Sequence, residues 1–245
     1  MQFFNLALSS IVFLLCISSW VNAAEPVAAQ CLFEPSMTVE LGSPVRGVLS
    51  GVLIDRGDLV KKGETVARID SRAQRAAVAL ARSRAEFAQR TIERNEELIQ
   101  DDLLSSQEMD EIATESQLAS LELAQAETEL DMRNIKSPVN GVVVKIVHTE
   151  GEFIDETEIL VLAQIDPINV EVVVPVKYFG QVSEGMQATV TPEAPLNGTY
   201  IATVVVVDKV IDAASGTFRV RLILPNKDLK IPTGLRCELV FPFEV

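Results

Sequence analysis

The chain has 245 residues, a net charge of −14 from 35 Asp+Glu against 21 Lys+Arg, and 48% apolar residues. That apolar fraction excludes wholesale disorder, and the acidity without a basic stripe argues against nucleic acid as a partner. One His, three Cys and 5% aromatics leave few donors for a His-rich or multi-Cys metal site and few platforms for stacked bases or sugars.

Residues 1–23 carry no charged side chain. The apolar run Ile11 to Ile17, then Val21-Asn22-Ala23, has the layout of a secretory signal peptide cut after Ala23. No Lys or Arg precedes the run and Trp20 lies late in it, so an uncleaved N-terminal anchor is the alternative. The run is short of the roughly 20 residues that a spanning helix needs. Cys16 follows Leu14-Leu15 rather than a small residue, which argues against lipidation. Removal of residues 1–23 leaves Cys31 and Cys237, compatible with one disulfide or with two buried thiols.

Residues 24–42 form an N-terminal segment with a strand over 32–41. Residues 43–71 contain β-branched runs punctuated by Gly47, Gly51, Gly57 and Gly63, with tight turns at Arg56-Gly57-Asp58 and Lys62-Gly63-Glu64. The pattern predicts a small all-β unit of four short strands. Residues 72–135 change character: from 72 to 133 there is no Gly and no Pro, and helix formers dominate. Val78, Ala81, Ala85, Ala88, Ile92, Asn95 and Ile99 follow 3-4 spacing. Met109, Ile112, Ser116, Ala119, Leu123, Ala126 and Leu130 repeat it. Two such seams joined near Asp101 to Ser105 predict an antiparallel helical hairpin with coiled-coil packing, each helix about 45 Å long. Ser105 and Glu108 have capping-box spacing. Leu80, Phe87, Leu98, Leu118 and Leu121 fall off the seams; they either face lateral neighbours or widen the internal stripe.

Residues 136–167 repeat the layout of 43–71. Ser43-Pro44-Val45-Arg46-Gly47-Val48 aligns with Ser137-Pro138-Val139-Asn140-Gly141-Val142, and Asp55-Arg56-Gly57 with Thr149-Glu150-Gly151. Ala67-Arg68-Ile69-Asp70 aligns with Ala163-Gln164-Ile165-Asp166. Two equivalent β halves therefore flank the hairpin and fold as one unit with the hairpin inserted. Residues 168–245 carry strand runs with turn signals every roughly 8–12 residues, which predicts a small antiparallel barrel or sandwich. One or two helical turns fit Tyr178 to Glu184, at a barrel end.

This order of elements, with PVRGVLSGVLIDRGDLVKKGETVARID, SPVNGVVVKIVHTEGEFI and VIDAASGTFRVRLILPNKDLKIPTGL as its most telling stretches, resembles the periplasmic adaptor, or membrane-fusion, subunit of tripartite efflux pumps and HlyD-type secretion systems. The resemblance implies an elongated multidomain α+β chain. Its biotinyl/lipoyl-like β domain is split by the long hairpin and followed by a small antiparallel β-barrel. It implies a non-catalytic adaptor, in the periplasm and held at the inner membrane by its transporter. That adaptor links an inner-membrane transporter to a TolC-like outer-membrane channel as a homo-oligomeric ring of three or six copies, with no cofactor and no metal. Adaptors that meet such channels carry Arg, Leu four residues on and Ser seven after that. Arg94, Leu98 and Ser105 hold that spacing in RNEELIQDDLLS. Read as residues alone, the same three are a surface Arg, a seam Leu and an N-cap Ser.

In the family the chain enters and leaves through neighbouring strands, which implies a Cys31–Cys237 disulfide. Longer members add a membrane-proximal domain built from both termini. Few residues precede Cys31 and the chain stops at Val245, so that domain is expected to be absent or vestigial, leaving the transporter contact to the barrel. A lipoyl or biotinyl carrier domain is the competing reading. Its modified Lys would stand at the junction of the halves, where DDLLSS at the hairpin tip has none; Lys61 and Lys62 belong to another turn. An enzyme would have His148 alone as imidazole base, on a strand-to-turn stretch without an adjacent nucleophile.

Overall fold

The computed structural model describes residues 28–101, 103–155 and 157–242. The expected leader, residues 1–23 with its cleavage site and Cys16, and the side chain of Ile99 lie outside the described residues. Two long strands run nearly the length of the β structure. β1 (Ala28–Gly42) and β8 (Glu158–Pro175) pair antiparallel from Cys31↔Val172 to Gly42↔Glu158, with a register shift between Pro35 and Met37. One end of this ladder belongs to a barrel and the other to a sandwich of two smaller sheets.

The barrel adds β9 (Gln187–Pro192), β10 (Tyr200–Val207), β11 (Thr217–Leu224) and β12 (Arg236–Val240). The order β1-β12-β9-β10-β11-β8 closes on itself through the β1–β8 pairing. Closure leaves these six strands without an open edge, which removes the usual route to edge-to-edge aggregation. Ile168, Val170, Val172 and Val174 of β8 are buried, as are Phe218, Val220, Leu222 and Leu224 of β11. Alternate residues thus face the interior, the period-2 signature of a strand with one buried face. Phe33 and Phe241 complete this core. The first half of β1 supplies the sixth strand, so the barrel draws on the N-terminal segment as well as on residues 168–245. The expected boundary at 167/168 falls inside a continuous strand, because β8 crosses from sandwich to barrel without interruption.

The sandwich takes β2 (Gly47–Val52), β3 (Leu59–Val60), β4 (Thr65–Ile69), β5 (Asn134–Lys136), β6 (Gly141–Ile146) and β7 (Phe153–Ile154) together with the near ends of β1 and β8. Residues 43–71 hold three strands rather than the expected four. The runs on either side of Gly51 join into β2 through a register shift against β4, so Gly51 sits at a bulge instead of ending a strand. The sequence repeat has a physical counterpart. Gly57 N–H donates to Val143 O at 2.9 Å, and Gly151 N–H donates to Leu49 O at 2.9 Å. Each half thereby places its turn glycine on the other half's strand. Ser43 and Ser137, both buried, bond to the carbonyls of Val45 and Val139 in matching turns. Leu49, Val66, Ile69, Ile135, Val143, Ile159, Leu160 and Leu162 form one core drawn from both halves.

Between the halves stand α1 (Arg72–Gln100) and α2 (Ser106–Asp131). They run back along one another, as Arg82–Glu127 at 2.8 Å and Arg84–Glu122 at 3.1 Å require. These exposed pairs contribute about 0–1 kcal/mol each and serve mainly to fix the facing residues. Among the described seam positions, Val78, Ala81, Ala88 and Ala119 are buried and the rest half-buried. The off-seam Leu80, Phe87, Leu98, Leu118 and Leu121 are exposed, so they do not widen the internal stripe. In place of one or two helical turns over Tyr178 to Glu184, a single 3₁₀ turn spans Val176–Tyr178, and buried Tyr178 and Val182 close the barrel mouth.

Gly47 and Gly141 are equivalent in the repeat but not in their surroundings. A Cβ on Gly141 would stand 2.6 Å from the backbone oxygen of Ala163, whereas one on Gly47 would meet side-chain atoms, Ile69 Cγ2 at 2.6 Å and Arg133 Nη1 at 2.9 Å. Backbone in a paired strand cannot yield; side-chain ends can. Gly141→Ala is therefore expected to destabilise by about 2–3 kcal/mol in urea unfolding, and Gly47→Ala by about 1 kcal/mol. Equal effects would contradict this account.

Candidate functional site

The free end of the helix pair is the most distinctive surface of the chain. Helix α1 reaches it without interruption because residues 72–100 offer no Gly or Pro to break it. Arg94 lies on its exposed side. Its guanidinium donates to Thr91 Oγ1 at 3.2 Å and lies 5.9 Å from the centre of the Phe87 ring. Both contacts hold the side chain along the helix and leave its remaining donors to solvent. Leu98, one turn further on, is 39% exposed. Its carbonyl accepts the Leu103 N–H at 2.9 Å, which closes the end of α1.

Ser105 starts α2 as its N-cap, with φ −66° and ψ 153°. Its Oγ accepts Glu108 N–H at 3.2 Å and donates to Glu108 Oε2 at 2.7 Å, while Ser105 N–H donates to the same carboxylate at 2.9 Å. The expected capping box is present. These bonds favour the charged carboxylate and hold the Glu108 pKa below its ordinary value. The Ser105 hydroxyl is thus committed within the chain, unlike the guanidinium of Arg94. Leu103 carried no signal in the seams, yet it is 67% exposed at the turn. Its place in a polar turn is the one clue the sequence gives. Between residues 93 and 111 stand eight carboxylates and one cation, Arg94, so the tip is strongly acidic.

Cys31 and Cys237 lie opposite one another in the β1–β12 register, with Cα atoms 4.8 Å apart, and are joined as a disulfide. His148 pairs through Nδ1 with Glu152 Oε2 at 2.6 Å and faces Thr157 Oγ1 at 3.4 Å. The bond to His148 is the first cause of a lowered Glu152 pKa. Among the described residues no three His, Cys, Asp or Glu gather into a metal-binding group, and no helix is long and apolar enough to cross a membrane. Lys61 and Lys62 flank a sandwich turn, where the Lys62 N–H donates to Asn140 Oδ1. They lie in the turn between β3 and β4, one strand before the helix pair begins at Arg72.

Residues 37–161 match the family described as RND MFP, barrel-sandwich hybrid domain, and residues 167–241 match the CusB-like β-barrel domain. The multidrug resistance protein MdtA of Cronobacter turicensis is 30% identical over 78% of this chain and 52% of its own length. The toluene efflux pump periplasmic linker protein TtgA of Pseudomonas putida is 22% identical over 80% of this chain and 55% of its own. The chain thus spans about half the length of the curated relatives it matches. A crystal structure of a MacA-MexA chimera carrying the Pseudomonas aeruginosa MexA α-hairpin shares the fold, with TM-score 0.75 and 21% identity over 91% of this chain and 84% of that one.

Ser105→Ala is expected to cost about 1 kcal/mol of stability, whereas Ser105→Asp, which keeps a capping oxygen, should cost little. Because the folded-state pKa of Glu108 is lowered, its contribution is fully present at neutral pH and is lost as pH falls through that lowered value. Acid titration followed by circular dichroism should show this dependence in the wild type and not in Glu108→Gln.

Proposed function

The chain belongs to the RND membrane fusion protein family, whose members are non-catalytic adaptors of efflux pumps, and from that premise we propose that it links an inner-membrane transporter to a TolC-like outer-membrane channel. In this reading α1 and α2 are a coiled-coil hairpin inserted into a split lipoyl-like domain, and residues 1–23 are a signal peptide that delivers the chain to the periplasm. The observation that carries the proposal is the exposed Arg94–Leu98 pair at the free end of a helix pair whose other end is held by both interlocked β halves. Arg94 offers donors to carbonyls or carboxylates of the channel, Leu98 adds apolar contact, and Ser105 caps α2 across the turn from them. The work is geometric, so no reacting group is required.

A conduit needs a closed ring, and identical subunits in a ring make heterologous contacts. The exposed Leu80, Phe87 and Leu118 line a groove of about 380 Å³ on the helix pair. That groove supports lateral packing of hairpins in a ring of three or six copies. The Cys31–Cys237 disulfide ties the first strand of the barrel to its last, a covalent seam suited to an oxidising compartment.

Arg94→Asp should abolish transport and channel cross-linking in cells that express the partners. Stability should change by no more than about 0.5 kcal/mol, since the side chain is exposed. Normal transport by this variant would remove the residue-level claim. For the disulfide, the purified mature protein should show no free thiol under denaturing titration. Replacing both cysteines with Ser should lower stability, the chain-entropy limit being about 5 kcal/mol for a loop of this length. Two titratable thiols would overturn that part of the proposal.

A further inference from the structure

A cleft of about 410 Å³ opens where the sandwich meets the barrel. The sandwich contributes Leu59 of β3 and Lys61 of the turn after it, β8 contributes Ile165 and Asp166, and the β11–β12 loop contributes Lys227 and Leu229. Clefts of roughly 300–1,000 Å³ with apolar walls and a few converging polar groups are the usual form of a small-molecule site, and they occur preferentially at domain junctions.

Both rims are held in place. On the sandwich side Lys62 N–H donates to Asn140 Oδ1 at 2.9 Å and Gly63 N–H to Ser137 O at 2.7 Å, which ties the turn that carries Lys61 to the other half. On the barrel side Asn226 N–H donates to Asp166 Oδ1 at 2.9 Å, and Leu229 N–H donates to Asn226 O at 2.8 Å. Leu229 has φ 53° and is the sole non-glycine residue at positive φ among the described residues. A bulky side chain in that region is a steric outlier, and such outliers gather where the position of a side chain matters. Glycine would make the same turn without strain. What leucine adds is an apolar side chain, partly exposed, on the lining of the cleft.

The polar groups of the cleft are mainly donors. Asp166 is the one carboxylate among the residues that line it, and its Oδ1 is taken by Asn226. Two further carboxylates stand on the same turns. Glu64 Oε2 accepts Lys61 N–H at 2.8 Å, and Asp228 pairs with Lys230 at 3.4 Å. The ammonium groups of Lys61 and Lys227 have no ion pair among the described residues, and Asn140 spends its Oδ1 on Lys62, which leaves its Nδ2 donors unpaired there. Two cations against one carboxylate on the lining reverse locally the sign of a chain with net charge −14. Ammonium point charges and an amide donor select an anionic oxygen head, while Leu59, Ile165 and Leu229 select an apolar body.

We propose that this cleft binds an anionic amphiphile, a small molecule with one charged oxygen head on an apolar body. Lys61 from the sandwich and Lys227 from the barrel hold the head, and Leu59 and Leu229 cover the body, so the ligand bridges the two units. This goes beyond the adaptor reading, which assigns the chain no small-molecule site, and its test needs neither transporter nor channel.

Decanoate serves as the probe, titrated into the purified mature protein by isothermal calorimetry. It should bind saturably, one molecule per chain, with a dissociation constant below about 1 mM. Decanol, with the same body and no charge, should bind at least tenfold more weakly, as should inorganic phosphate, which has charge and no body. Lys61→Ala with Lys227→Ala should weaken decanoate binding by roughly tenfold or more, whereas Lys209→Ala, on another loop, should leave it unchanged. Asp166→Asn keeps the acceptor for Asn226 and removes the one lining carboxylate, so it should tighten binding several-fold. Leu229→Gly should weaken binding several-fold while the urea midpoint stays the same or rises, because the strain at that residue is relieved. Absence of saturable decanoate binding, or binding undiminished in the double Ala variant, would overturn the proposal. Equal binding of decanol or of phosphate would overturn it too, and the cleft would then be a plain apolar recess or a simple anion site.

Discussion

The antiparallel ladder of β1 on β8 is the constraint on which the rest of the molecule depends. Toward Gly42 and Glu158 it contributes Leu160 and Leu162 to the sandwich core, and toward Cys31 and Val172 it contributes Phe33, Ile168, Val170 and Val172 to the barrel core. Between Pro35 and Met37 two residues of β1 advance against four of β8. A slip is tolerated there because Pro35 has no N–H to pair. The two cores are therefore joined by continuous hydrogen-bonded strands rather than by a linker. Buried Asn226 reinforces the junction: its Nδ2 donates to Ile165 O and Ile231 O, its Oδ1 accepts Ile231 N–H, and its own N–H reaches Asp166 Oδ1. A buried amide satisfied on every side is costly to displace, so the β11–β12 loop is held against the junction.

The second element of the architecture is reciprocal. Each half of the sandwich lends a turn to the other, and the shared core contains Leu49 and Ile69 from one and Val143 and Leu160 from the other. The same closure brings the roots of the two helices together, since Asp70 N–H donates to Val48 O and Ile69 N–H to Arg133 O. The Arg133 guanidinium adds a bond to Arg46 O at 3.1 Å. An insertion of about 60 residues is accommodated because its ends are neighbours in the sheet. The helix pair can then project without disturbing either core.

The cores are closed and apolar, and the His148–Glu152 pair lies in a loop rather than a cleft. What the fold offers instead is two ends set far apart on a stiff frame. One end is acidic, with Arg94, Leu98 and Leu103 exposed among carboxylates. The other carries the 208–216 turn, where exposed Val210 and Ile211 stand between Lys209 and Asp212.

Local signals in the sequence determined the helix pair, because residues 72–133 contain no breaker, the seams keep one spacing throughout, and Ser105 and Glu108 meet within one turn of chain. The repeat was legible as well, since Gly57 and Gly151 mark turns that require positive φ, at 95° and 91°. Strand count was less so: Gly51 reads as a stop in sequence but lies at a bulge once β4 pairs across it, and β8 runs unbroken through the expected 167/168 boundary. Only the tertiary structure decided that β1 closes the barrel, that Cys31 faces Cys237 across 206 residues of chain, and that Phe179 packs edge-on against Phe218. The reason is physical. Helix and turn preferences are set by neighbours a few residues away, whereas strand partners, ring closure and surface clusters are set by which distant segments bury their apolar faces together.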